Sequence, residues 1–168
     1  MEQKKKIIGI TGGVGAGKSS VLAVLKEDFG AKIILADLVA HDLMEPGSEG
    51  LKKVTEALGT SFLDPDGSVD RKALADVIFR NKDALRTMNS IIHPLVWKTM
   101  KEAAEAAEEQ LVIIEAAVFD TAPKDLFDEL WYVYTTKENR IIRLMANRGY
   151  SREKCEDIIG RQASEEEY

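Results

Sequence analysis

The segment Gly12-Gly13-Val14-Gly15-Ala16-Gly17-Lys18-Ser19 satisfies every fixed position of the pattern G-x-x-x-x-G-K-[ST]. No other stretch constrains the chain as strongly, because this pattern works only as the turn between a buried strand and a helix. Ile7-Ile8-Gly9-Ile10 before it is short, apolar and β-branched, as a strand covered on both faces should be. After it Val21, Leu22, Val24, Leu25 and Phe29 recur at helical spacing. These residue types specify a phosphate cradle. Gly12, Gly13, Gly15 and Gly17, with Val14 and Ala16 between them, allow consecutive N–H groups to turn inward. Lys18 brings a point charge to the β- and γ-phosphates of a nucleotide, the Ser19 hydroxyl is placed to ligate a bridging Mg²⁺, and Ser20 carries the cradle into the helix. The alternative, a glycine-rich turn that binds nothing, leaves the lysine and the hydroxyl unexplained.

A chain of 168 residues, 45% of them hydrophobic, suffices for one domain with its own core. The formal net charge of -6 and the pI near 5.1 argue against a broad basic field, so the expected partner is a small molecule and not nucleic acid. Cys155 is the only cysteine, which rules out an intramolecular disulfide and fits a reducing, cytoplasmic compartment. Lys4-Lys5-Lys6 ahead of Ile7 and Ile8 faintly resembles the start of a secretory signal, but the apolar run stops at the glycine loop. No apolar segment reaches the roughly eighteen residues of a membrane helix, so no membrane partner is expected. Composition specifies no oligomeric state.

Further along, Ala31-Lys32-Ile33-Ile34-Leu35 reads as a second strand with Asp37 just after it. Asp37 either looks into the ligand crevice at the carboxyl ends of the strands or N-caps the helix carrying Leu38, Val39 and Leu43. Pro46-Gly47 makes a turn, and Leu51, Val54 and Leu58 mark a short amphipathic helix ending at Gly59. Asp64-Pro65-Asp66-Gly67 is a turn that also matches the D-x-x-G of GTPase switches. The lack of a full strand before it, and of a final aspartate in Asn81-Lys82-Asp83-Ala84, count against that match. Helices are expected from Arg71 to about Arg80, from near Asp83 through Ile92, and from Pro94 to about Glu109. They are too long for a plain crossover and suggest an inserted helical subdomain over the nucleotide cleft. Leu111-Val112-Ile113-Ile114-Glu115 is either an ordinary buried strand or one that brings a carboxylate beside Mg²⁺. A fourth strand follows at Leu130 to Thr135. Arg140 and Arg143 then share a face of a basic helix, with Arg148 before the stop signal Gly149; these arginines either clamp phosphate in a closing lid or form a solvated face. From Arg152 a charged helix frays into Glu165-Glu166-Glu167. His41 reads as a surface residue, and His93 as one satisfied by backbone where a helix begins.

Together these stretches resemble the dephospho-CoA kinases. The resemblance is carried by Ile10-Thr11 with the loop to Ser20, Ala36-Asp37-Leu38-Val39-Ala40, Glu45-Pro46-Gly47, Ile78-Phe79, Ile91-Ile92-His93-Pro94-Leu95, the strand to Glu115, and Arg143 to Arg148 with Gln162. It implies an α/β fold of the P-loop NTPase type, a nucleoside monophosphate kinase-like parallel sheet flanked by helices. The core would lie at 1–36 and 110–136, a helical CoA-binding insertion at about 37–109, and a lid at about 139–163. It implies ATP and Mg²⁺ as cofactors and phosphorylation of the ribose 3′-hydroxyl of dephospho-CoA, giving CoA and ADP. Asp37 would be base or orienter for that hydroxyl, Arg143 or Arg148 would contact ATP, and His93 and Glu115 would lie on the acceptor side. Another small-molecule or nucleotide kinase, or a non-catalytic nucleotide switch, are the competing readings. The chain departs from the family's D-A-D at Leu35-Ala36-Asp37, from a common arginine at His41, and from D-P-L-L-F-E at Glu115-Ala116-Ala117-Val118-Phe119-Asp120. The family's strand and helix beyond Tyr168 are absent, so a fragment is expected, with the fourth strand left as an open sheet edge.

Overall fold

β1 (Lys6–Thr11) and β3 (Leu111–Glu115) are near-continuous apolar runs, and in the computed structural model, which describes residues 5–164, they pair side by side in parallel. Lys4, Glu165-Glu166-Glu167 and Tyr168 lie outside the described residues. Strands with no polar face have to be covered on both sides, and Ile8, Ile10, Val112, Ile113 and Ile114 are all buried. β2 (Lys32–Leu35) and β4 (Glu129–Tyr132) complete a four-stranded sheet in the order β2-β3-β1-β4. The register sets Ile10 opposite both Glu115 and Trp131, so the chain leaves β1 at the carboxyl end of the sheet beside an acid. Helix α1 (Lys18–Glu27) follows, and its Leu25 packs with Ile8, Ile10, Ala31 and Ile113. Each buried leucine or isoleucine of this set contributes about 1.5–3 kcal/mol.

The chain divides into two compact units. One runs to Ile34 and resumes at Ala104; the other is Leu35–Ala103. In the first, α6 (Lys137–Arg148) and α7 (Arg152–Gly160) close a small core of Ile141, Leu144, Cys155 and Ile159, against which Val14 and Tyr150 pack. Thr136 caps α6 and Ser151 caps α7, each with its hydroxyl. Arg152 joins the two helices by bonding Glu138. That bond, and then the charge of the guanidinium, hold the Glu138 carboxyl below its usual range. The tie is therefore complete above the ordinary carboxylate pKa and is lost as acid protonates Glu138.

The second unit is helical: α2 (Ala36–Asp42), α3 (Glu49–Leu58), α4 (Arg71–Arg80) and most of α5 (Lys82–Ala106). Ser48 caps α3, and Asp70 caps α4 through Lys72 and Ala73. The D-x-x-G stretch is a hairpin turn closed by Gly67 N–H to the Asp64 carbonyl at 2.9 Å, with Leu63 and Val69 bridged across it. The Asp66 carboxylate accepts from Ser68, so this segment forms a turn with its own side chains. Among the described residues no helix is long and apolar enough to cross a membrane.

Two boundaries differ from the sequence reading. β4 stops at Tyr132, and only one more rung, Val133 N–H to the Thr11 carbonyl at 2.9 Å, continues toward Thr135. One helix, α5, replaces the two expected on either side of His93-Pro94. Pro94 withdraws one backbone rung, but Ile92, Leu95, Val96, Trp97, Met100 and Ala104 remain buried across it, and that burial outweighs the break. His93 is thus an exposed residue in mid-helix, not the start of a new one. Pro94→Ala should restore the rung and stabilise the chain by about 1–2 kcal/mol, read as a higher denaturation midpoint. A lower midpoint would mean that the proline starts a separate helix.

Candidate functional site

The site grows from the turn after β1. Gly17, with φ 105, sits in a backbone region closed to residues with a Cβ and caps α1 without a side chain. The first turn of α1 contains no acid, so its N-terminal amides and dipole are left for an exogenous anion. Lys18 folds back over the loop. Its Nζ donates to the Gly12 carbonyl at 2.6 Å and lies 3.8 Å from Glu115 Oε1 at the end of β3.

Two arginines of α6 hold the other side. Arg140 Nε donates to the Val14 carbonyl at 2.8 Å, and Arg143 Nη1 to the Ala16 carbonyl at 2.9 Å. The Arg140 guanidinium lies so close to Gly13 that a Cβ there would collide with it. Three loop carbonyls, those of Gly12, Val14 and Ala16, therefore each accept from a cationic side chain. A planar trans peptide carries the next N–H on the opposite side, so the amides of Gly15 and Gly17 point away from the two guanidinium groups. A cavity of about 700 Å³ opens here, lined by Gly13 through Val21 together with Val133, Tyr134, Arg143, Leu144, Asn147 and Arg148. It brings together Gly13, Val14, Gly15, Ala16, Gly17, Lys18, Ser19, Ser20, Arg143 and Arg148; Gly12 contributes its carbonyl to Lys18.

No group of three His, Cys, Asp or Glu among the described residues could hold a metal unaided. Ser19, on the cavity wall, suits a Mg²⁺ that would take most of its oxygens from a polyphosphate, and Glu115 lies 3.8 Å from the neighbouring Lys18 Nζ.

Asp37 belongs to the helical unit. Leu35 is the N-cap of α2, with no side-chain bond, so Asp37 is an exposed acid in the first turn and not the cap. It lines a second cavity of about 450 Å³ with His41, Met44, Glu45, Arg71 and Leu74. Exposed His41 keeps Nδ1 3.4 Å from Glu45 Oε1. Arg71 in this cavity carried no signal in the sequence beyond its place at the start of a helix. The sequence offered Arg140 as a phosphate clamp or a solvated residue and Gln162 as part of the resemblance, but their bonds to Val14, 126 and 148 positions away, carried no signal.

Residues 6–168 match the family model described as CoaE, dephospho-CoA kinase. A relative from Carboxydothermus hydrogenoformans, named dephospho-CoA kinase, is 38% identical over 153 residues, covering 89% of this chain and 74% of its own length. One of the same name from Geobacter sulfurreducens is 35% identical, covering 96% of this chain and 83% of its own. Among solved structures, TT1252 from Thermus thermophilus superposes with a TM-score of 0.75 at 31% identity, covering 98% of this chain and 83% of that one. The dephospho-CoA kinase from Campylobacter jejuni superposes at 0.64 with 20% identity, covering 93% and 79%, and shares the fold.

Gly13→Ala tests the close approach at the loop. Displacing the buried Arg140 head group should cost about 1–3 kcal/mol of stability by denaturant titration, and an unchanged midpoint would show that the guanidinium does not need that space.

Proposed function

The chain belongs to the dephospho-CoA kinase family and is a phosphotransferase acting on dephospho-CoA, and from that premise we propose that it passes the γ-phosphoryl of ATP to the ribose 3′-hydroxyl. The loop amides with Lys18 grip the β- and γ-phosphates, and Arg143 and Arg148 meet the charge that spreads over the transferred group. The observation that carries this reading is the uncapped, acid-free start of α1 facing a cavity shared by Lys18, Ser19, Arg143 and Arg148. Ser19 would help to hold a Mg²⁺ that arrives with the nucleotide, and that ion would supply charge neutralisation on the phosphates.

On the acceptor side, Asp37 receives the hydroxyl. The 3′-oxygen bonds to the γ-phosphorus as the bond to the β–γ bridging oxygen breaks; the proton passes to the Asp37 carboxylate, and ADP leaves with the electron pair. The cavity beside Asp37 offers Arg71 to the acceptor's diphosphate and the apolar walls of Met44 and Leu74 to its organic part. In this reading residues 37–109 are the acceptor-binding insertion, His93 and Glu115 are substrate residues, and 139–163 are the lid.

Two measurements test this. With Mg·ATP, the protein should convert dephospho-CoA to CoA with stoichiometric ADP, and EDTA should abolish it; transfer to a different acceptor in preference would redirect the assignment. Asp37→Asn should lower kcat by roughly 10²–10⁴-fold while ATP still binds. Undiminished turnover would remove Asp37 from the chemistry.

A further inference from the structure

Val14 has both backbone groups engaged by distant side chains, Arg140 of α6 and Gln162 just beyond α7. Its N–H donates to Gln162 Oε1 at 3.0 Å, and its carbonyl accepts from Arg140 Nε at 2.8 Å. Arg140 Nη2 also donates to Gln162 Oε1, which closes the three groups into a ring. Both partners of the Gln162 head group are donors, so the amide oxygen has to face them. Arg140 is only 8% exposed, and the acceptors it holds are neutral oxygens. The Val14 side chain packs on Ile141, Leu144, Cys155 and Ile159, so the same residue is fixed by packing as well.

We propose that Gln162 is a positioning residue for the nucleotide. With Arg140 it locks the peptide planes on either side of Val14, so the amides of Gly15, Gly17, Lys18 and Ser19 are aimed before ATP arrives, while that of Ala16 closes the loop on the Gly13 carbonyl. This rests on the reading that the cavity holds the phosphates of ATP. Aiming several dipoles at one point is costly if it must be done during binding, and a loop already held in place avoids that cost. The choice of amide over carboxylate follows from the same geometry. A glutamate at 162 would give Val14 the same acceptor, yet it would cancel the buried charge of Arg140 against the loop. Gln162 satisfies the donors and leaves that charge uncompensated. The segment just beyond α7 and the nucleotide loop are thereby coupled through one side chain.

The test uses the full chain, with Gln162→Met removing the acceptor at similar volume and Gln162→Glu keeping it. ATP affinity is measured without acceptor by calorimetry, the KM for dephospho-CoA by turnover, and the protection of the Val14 amide by hydrogen exchange. Gln162→Met should weaken ATP binding about tenfold, leave the KM for dephospho-CoA unchanged, and speed Val14 exchange about tenfold, the scale of one buried hydrogen bond. Gln162→Glu should keep Val14 protected. ATP affinity unchanged in Gln162→Met, an equal rise in the KM for dephospho-CoA, or fast Val14 exchange in Gln162→Glu would each overturn the proposal. A wild-type chain that fails to bind ATP would instead overturn the nucleotide reading beneath it.

Discussion

Backbone amides that converge on one point repel one another, and a loop built that way does not hold its shape unless its carbonyls are engaged. In this chain cationic side chains engage them, Lys18 and Arg143 from the cavity wall itself. Lys18, Arg140 and Arg143 take the carbonyls of Gly12, Val14 and Ala16, and each bond fixes a peptide plane whose far side carries an N–H. The rest of the fold serves to deliver those three side chains. β1 and β3 bring Glu115 within 3.8 Å of the lysine, and the α6–α7 hairpin, with its own apolar core, holds the arginines against the loop.

The same arrangement explains how an acidic protein recognises a polyanion. A net charge of -6 disfavours phosphate at long range, but screening confines that penalty to about 8–10 Å, whereas cations and helix amides at the cavity act in contact. Specificity for the site over the remaining surface then comes from local order. Arg143 both braces the loop and lines the cavity, so structural and binding roles share one guanidinium. α6 and α7 belong to the same compact unit as the sheet, and their docking on the loop runs through Arg140, Arg143 and Gln162.

Local features were readable in the sequence. The loop, the strands at Ile7 and Leu111, and α4 from Arg71 to Arg80 follow from residue types within a few positions of one another. Features that depend on tertiary burial were not. Pro94 reads as a break because the penalty is local, while the burial of Ile92, Trp97 and Met100 that carries α5 through it is not. Asp37 reads equally as a cap or a site residue, and only the helix boundary at Leu35 removes the first option. Arg140 reads either as a phosphate clamp or as another basic residue on a solvated helix face. Its burial, and the bonds joining it to Val14 and Gln162, are decided by folding over more than a hundred positions.

The central claim is that a preset loop of amides receives the triphosphate tail. An amide-resolved NMR titration of the chain with Mg·ATP, without acceptor, addresses it most directly. The account predicts the largest saturable shifts at Gly15, Gly17, Lys18 and Ser19, with Val14, already bonded to Gln162, moving least within the loop. Shifts that leave these amides unchanged, or that centre on Val14, would contradict it.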